Sequence, residues 1–419
     1  MATEKQPEIV GDETQYSRYR WVVIGLLVLT QEVSILLVGG LGMFLPAMRK
    51  DLGFGAAEAG LLGSLNQLAT LLIIPSTLLF IRLKPKWVYT AALLLATTAG
   101  FFIGKAPTFP FLAVFLFIKG LALMVRQIPE TLLRLQWIPK KEFATVMGLT
   151  MGLTNMGQST GIMIVPFLLI LFGGWRSLFS VYALVLFITT IIWVVFARER
   201  ITSTYRDGMA SHEARSSLKS VLKRKEFMLL GLALFGGSLS YSCATLFLPT
   251  YLLEERGLPL TYIGLITGLL PVGGICANFT MGFISDKIGL RKPTMWPPSL
   301  FEPLLYFSLY SPVPVWLLPI LAFLTGYVAW APLAAYRTIP FELPGLKPSD
   351  IAVGQSLIQT LSMLGPVLGL PLAGILADSS GSVGIALRIM VIFSLTKPVA
   401  GFLIPETGTK ARSVPVKEG

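Results

Sequence analysis

The stretch "GFISDKIGLRKP", residues 282–293, interrupts two apolar runs with Asp286, Lys287, Arg291 and Lys292. Before it stands "LTYIGLITGLLPVGGICANFTM" (260–281); after it comes "TMWPPSLFEPLLYFSLY" (294–310). Four charges between hydrocarbon-like segments read as a short loop at a membrane surface. Gly282 permits close approach of a neighbouring helix. Asp286 ends a helix where a carboxylate pairs with a cation or with a facing helix N-terminus.

The rest of the chain repeats this alternation. Of 419 residues, 54% are hydrophobic and only 13% charged, with mean hydropathy +0.72. Apolar runs of roughly 20 residues recur, each long enough to cross about 30 Å of hydrocarbon. Short alternating segments of a β-barrel are absent. The reading is an all-α polytopic membrane protein with twelve spans: 21–43, 58–81, 87–104, 110–133, 145–172, 177–197, 227–252, 261–284, 293–311, 315–339, 351–376 and 384–404. The ninth carries Pro297, Pro298 and Pro303 and is expected to be short or broken. The first apolar run follows 19 polar residues and reads as a retained span, not a cleaved signal. Cys243, Cys276 and the single His212 form no metal or disulfide pattern. No cofactor is expected.

Charge distribution sets the topology. With the N-terminus inside, 24 of the 34 Lys and Arg fall in cytoplasmic segments. Only Arg49, Lys50, Lys105, Arg176 and Arg256 fall outside, which puts both termini in the cytoplasm. The net charge of +12 then reflects topology and anionic lipid, not nucleic acid. The expected organisation is a tail (1–20), a six-helix bundle (21–197), a polar linker (198–226), a second six-helix bundle (227–404) and a tail (405–419). An internal repeat supports the halves: "FLPAMRKDLGFGAAEAGLL" and "FLPTYLLEERGLPLTYIGLI" each hold Phe-Leu-Pro and a Gly pair, Gly53/Gly60 and Gly257/Gly264. Duplicated helical halves suit alternating access.

The loop at 282–293 resembles the Gly-x-x-x-Asp-(Arg/Lys)-x-Gly-x-(Arg/Lys)-(Arg/Lys) signature of the major facilitator superfamily. The matching residues are Gly282, Asp286, Lys287, Gly289, Arg291 and Lys292. "GGWRSLF" (173–179) and "IPKKEFATVMGL" (138–149) are also similar to the family. The resemblance implies two pseudo-symmetric six-helix bundles around a central cavity. It implies a conformational latch at Gly282, Asp286, Gly289 and Arg291, with Asp286 meeting the first half near span five when the cavity opens outward. The first-half counterpart departs from the signature: Arg82 in "FIRLKPKW" stands where Asp286 stands in the second half.

Charges within the spans point to the site. An ionisable group at mid-membrane costs roughly 2.5–3.5 kcal/mol, so it faces a partner or a wet cavity. In "GLLVLTQEVSILLVGG" (25–40), Glu32 lies eleven residues into span one, about 16 Å deep. Arg126 lies in span four, with Glu130 one turn on and Pro129 between them. By resemblance, spans 1, 4, 7 and 10 meet at the cavity, so Glu32 and Arg126 are expected to face each other. Proton coupling through Glu32 stands against a static ion pair. Arg337 in span ten either completes an anion clamp or reaches to the cytoplasm. Tyr327 shares its helix, and Tyr241, Asn278 and Gln359 offer hydrogen bonds from spans seven, eight and eleven. Lys119, Arg388 and Lys397 read as helix-end or packing charges; Glu302 has no evident partner. Gly148, Gly152, Gly157 and Gly161 in span five read as close-packing positions.

The expected function is secondary, proton-coupled transport of a small organic anion by a monomer in the plasma membrane, with substrate, coupling ion and lipid as its partners. Efflux of amphipathic compounds is the alternative within the class. A membrane-embedded enzyme would need a nucleophile, metal cluster or phosphate loop, and no such motif appears.

Overall fold

A computed structural model describes residues 18–36, 40–72, 83–199, 221, 224–343, 345–346, 348–408 and 410. Arg82, the middle of the linker and most of both tails lie outside the described residues.

All regular structure among the described residues is helical. Span one comprises α1 (Arg20–Leu36) and α2 (Leu41–Leu52), and span two begins with α3 (Ala56–Leu68). Spans three to six are α4 (Pro85–Gly104), α5 (Phe109–Trp137), α6 (Lys140–Leu171) and α7 (Trp175–Phe196). Spans seven and eight are α8 (Lys225–Glu254) and α9 (Leu260–Ile288). The ninth is broken into α10 (Lys292–Ser299) and α11 (Glu302–Leu309), where Pro297, Pro298 and Pro303 withhold backbone donors. The tenth is divided at Ala331–Pro332 into α12 (Leu318–Trp330) and α13 (Leu333–Glu342), and α14 (Pro348–Ser380) is the eleventh. The twelfth pairs α15 (Val383–Met390) with α16 (Thr396–Leu403) through a 3-10 segment.

Nine of these helical stretches among the described residues are long and apolar enough to cross a membrane. The exceptions are span one, with 17 and 12 residues on either side of a break, span two, described only to Leu72, and the broken ninth. Several helices outrun the expected spans: α5 continues to Trp137 and α6 begins at Lys140. Hydropathy marks the part of a helix in hydrocarbon, whereas backbone hydrogen bonding carries the helix beyond it.

Gly289 ends α9. It adopts φ 72°, a left-handed conformation open to glycine, and its N–H donates to the Ser285 carbonyl. That termination turns the chain at once into the basic loop. The second glycine of the signature therefore acts on the backbone.

The halves meet along α3 with α14, α6 with α9, and α2 with α8. Contact is closest at one end. A Cβ at Gly60 would strike the Leu370 carbonyl, and one at Gly374 would strike the Ala56 carbonyl. Asp378 accepts hydrogen bonds from the backbone N–H groups of Ala56 (2.9 Å) and Ala57 (2.7 Å), opposite the positive end of the α3 dipole. Arg49 pairs with Glu254 at 3.1 Å, and Ser64 donates to the Val367 carbonyl at 2.8 Å. At the other end Gly148 and Gly152 have nothing within 4 Å of a built Cβ, and Leu149, Met156, Phe279 and Phe283 are exposed. The molecule is closed at the Asp378 end and open at the end bearing the 282–293 loop.

Asp378→Ala removes two charge-assisted hydrogen bonds from the closed end. Each such bond is worth about 1.5 kcal/mol at the low end, so the opening equilibrium should shift by roughly tenfold or more. Alkylation of a Ser64→Cys reporter, buried at that interface, should accelerate accordingly. An unchanged rate would show that the two bonds do not hold the gate.

Candidate functional site

Two groups of polar side chains lie inside the bundle. In the first half, α5 carries Arg126, Glu130 and Arg134 at successive turns, all buried. Glu130 accepts from Arg134 at 2.5 Å and lies 3.9 Å from Arg126. Arg134 also donates to the Gln31 side chain at 2.8 Å, which ties α5 to α1. Tyr89 bonds Thr30 at 2.8 Å beside this row, and Tyr182 donates to the Ser34 carbonyl at 3.1 Å. Lys119 is buried two turns before Arg126, with its ammonium over the Phe179 and Tyr182 rings at 5.2 and 5.0 Å.

Glu32 and Arg126 lie within electrostatic reach of each other but form no ion pair within 4 Å among the described residues. Glu130 is the acid beside Arg126, one helical turn away on the same helix. Glu32 turns instead to α6. Its carboxylate lies within hydrogen-bonding reach of Thr154 and against Gly157, where a Cβ would collide with it. Its Oε1 is buried without a hydrogen-bond partner among the described residues. Arg134 was counted among loop charges because α5 was expected to end at 133; the Glu130–Arg134 spacing was the available signal.

The second group surrounds a cavity of about 490 Å³. Gln67 (α3) and Asn155 and Gln158 (α6) face it from the first half. Tyr241, Asn278, Trp330, Arg337 and Gln359 face it from α8, α9, α12, α13 and α14. Tyr241 and Trp330 meet edge to face, with ring centroids 5.7 Å apart. Arg337, one of the two positions left open for that residue, lines the cavity, and no carboxylate lies within ion-pair distance of it among the described residues. Tyr327 is absent from the cavity wall; its hydroxyl bonds Thr280 at 2.8 Å.

Spans one and four, expected at the cavity, contribute no lining residue among those described, and span twelve contributes Lys397. Arg126, Glu130 and Arg134 are buried within their own bundle, whereas Glu32 is partly exposed. Asn155 and Gln158 went unread because the run "MGLTMGLTNMGQSTG" was read for its glycines. Two amides three residues apart share a helix face, which was the signal.

Lys397 also departs from expectation. It is buried, and its ammonium reaches Glu302 at 2.9 Å and the Ala329 carbonyl at 2.6 Å. Glu302 thus has a partner, on the last helix of the chain. Arg388 does read as a packing charge, donating to the Gly384 carbonyl at 3.2 Å.

At the signature loop, Arg291 bonds Asp286 at 2.7 Å and Glu342 at 2.6 Å, and its N–H donates to Glu406 at 2.7 Å. The Glu342 carboxylate, with Asp286 beside it, raises the Arg291 pKa above its usual value despite partial burial. Asp286 contacts its own half in this open-ended conformation. Its side chain is 74% exposed.

The fold, its duplicated halves, the signature loop and the central cavity together define a membrane transporter of one family. The chain belongs to the Major Facilitator Superfamily, whose sequence model matches residues 27–337 and again 238–419. It is similar to the Hexuronate transporter of Bacillus subtilis (strain 168), 26% identical over 157 residues. That alignment covers 36% of this chain and 37% of the relative, so it spans little more than a third of either. Among solved structures it is similar to a bacterial homolog of the human lysosomal transporter Spinster, in an inward-facing, occupied conformation. The TM-score is 0.80 at 15% identity, covering 93% of this chain and 97% of that one. The nucleoside transporter NupG gives a TM-score of 0.69 at 17% identity, covering 93% and 98%. At these identities the structural likeness establishes the fold alone.

Proposed function

We propose that the protein is a secondary transporter that carries a small organic anion, a carboxylated sugar of the hexuronate type, together with protons. The observation that carries this reading is Arg337, a guanidinium with no carboxylate partner among the described residues, in a cavity walled by amides, hydroxyls, aromatic rings and one further cation, Lys397, which Glu302 compensates. A guanidinium fork binds a carboxylate in two parallel hydrogen bonds. Gln67, Asn155, Gln158, Asn278 and Gln359 offer donors and acceptors to sugar hydroxyls, and Trp330 and Tyr241 offer flat apolar faces. The curated relative's hexuronate substrate has this chemistry: one carboxylate and several hydroxyls.

The basic loops support a cytoplasmic open end, and with it an inward-facing conformation. Residues 21–197 and 227–404 are the two rocking bundles of a monomer in the plasma membrane, both termini inside. Asp286 exchanges its Arg291 contact for the first half when the cytoplasmic end closes. Glu32 is the coupling carboxylate: it packs on the helix that carries Asn155 and Gln158 into the cavity, so its proton state bears on the position of that wall.

A thermal-shift titration tests the substrate class. D-glucuronate is expected to raise the melting temperature of the purified protein in a saturable way, while D-glucose at equal concentration leaves it unmoved. Equal shifts by the two would remove the anion from the reading.

A further inference from the structure

Beyond Arg337 and Glu32, a second set of ionisable groups lies at the cavity wall where α16, α11, α8 and α12 converge. Lys397 crosses from α16 past Gly237 of α8, which lacks the side chain that would block it: a Cβ there would collide with the lysine Cε. Both Gly237 and Lys397 line the cavity. Behind the ammonium stands Glu302, fully buried. Its Oε1 takes the lysine, but its Oε2 has no hydrogen-bond partner among the described residues. Tyr306, one turn further along α11, is likewise fully buried with an unpartnered hydroxyl. The titratable groups within electrostatic reach of this cluster are Tyr306 and Tyr310 on the same segment, Tyr336 on α13, Tyr241 and Cys243 on α8, and Lys397. Lys397 is the cation among them.

A packing charge needs neither a place in the cavity wall nor a half-satisfied acid as its partner. We infer that the Lys397–Glu302 pair is a displaceable anion subsite: a ligand carboxylate or phosphate takes the ammonium from Glu302, and Glu302 takes a proton in exchange. The proton is taken up from bulk solution, as hydronium relayed by cavity water, and adds to Oε2, the oxygen left without a partner. The exchange leaves no bare charge in the protein: the ligand anion compensates Lys397, and the proton neutralises the carboxylate that lost it. Ligand and proton therefore bind with mutual favour, as linkage requires in both directions. The inference rests on the anion reading above and adds to it a proton-linked site in the second half, separate from Glu32.

The test is D-glucuronate affinity between pH 6 and pH 8 in purified protein carrying Glu32→Gln, so that linkage through Glu32 is removed. The dissociation constant is expected to rise toward tenfold per pH unit. Adding Glu302→Gln frees Lys397 permanently. Affinity should then be flat with pH and at least tenfold tighter at pH 8. The neutral pair Glu302→Gln with Lys397→Gln keeps a hydrogen-bonding partner on each side and checks folding by its melting temperature; it should bind at least tenfold more weakly than the Glu302→Gln protein. An identical pH slope with and without Glu302→Gln overturns the inference while leaving the anion reading intact. Failure of D-glucuronate to bind even the unsubstituted protein overturns both.

Discussion

Arg337→Gln is expected to abolish high-affinity anion uptake while leaving the protein folded and inserted. The guanidinium lines the cavity without a carboxylate partner, so its removal leaves no internal acid stranded. A hydrogen-bonded charged pair is worth about 2–3 kcal/mol, which corresponds to a loss of roughly 30- to 150-fold in affinity. Glutamine preserves hydrogen bonding to hydroxyls but not the charge. Arg337→Lys keeps the charge without the fork and should recover only part of the loss. Initial uptake of labelled D-glucuronate against concentration checks both variants. Wild-type affinity in Arg337→Gln would assign the anion to another cation.

Glu32→Gln is expected to separate driving force from transport. The amide mimics the protonated acid in shape and removes the titration. Its carboxylate sits against Gly157 and Thr154, where an isosteric amide fits without new contact. One coupled proton and a gradient of one pH unit sustain an accumulation of about tenfold, since each 1.4 kcal/mol is tenfold in concentration ratio. The variant should lose the roughly tenfold that the Glu32 proton sustains and keep only what the proton linked to Glu302 supplies, with exchange across the membrane retained. Full pH-driven accumulation by Glu32→Gln would reduce its contact with α6 to packing.

The helical membrane fold was legible because hydrocarbon imposes a one-dimensional constraint. Each crossing needs its own apolar run, and loops must carry the charge. The broken ninth helix was legible for the same local reason, since Pro297, Pro298 and Pro303 act on their own backbone. The signature at 282–293 named the family because its glycines and charges are needed at fixed spacing. Partnerships between distant helices were not legible. Lys397 and Glu302 stand 95 residues apart and meet only because the broken ninth span packs against the twelfth. Glu32 and Arg126 had opposite charge and similar depth, yet rotation of α1 aims Glu32 at α6. Depth is set by residue count, but azimuth depends on packing that a single sequence does not display. Tyr241, Asn278, Gln359 and Arg337 were found because polar groups in hydrocarbon are conspicuous. Tyr327 was equally conspicuous and bonds a neighbouring helix instead. Polarity alone does not tell a lining group from one that joins helices.

The most direct measurement is uptake of labelled D-glucuronate into proteoliposomes with an imposed pH gradient, acidic outside. The account predicts accumulation of at least about tenfold per pH unit, collapsed by a protonophore and absent for labelled D-glucose. Equilibration to a ratio of one regardless of the gradient, or equal accumulation of D-glucose, would contradict it.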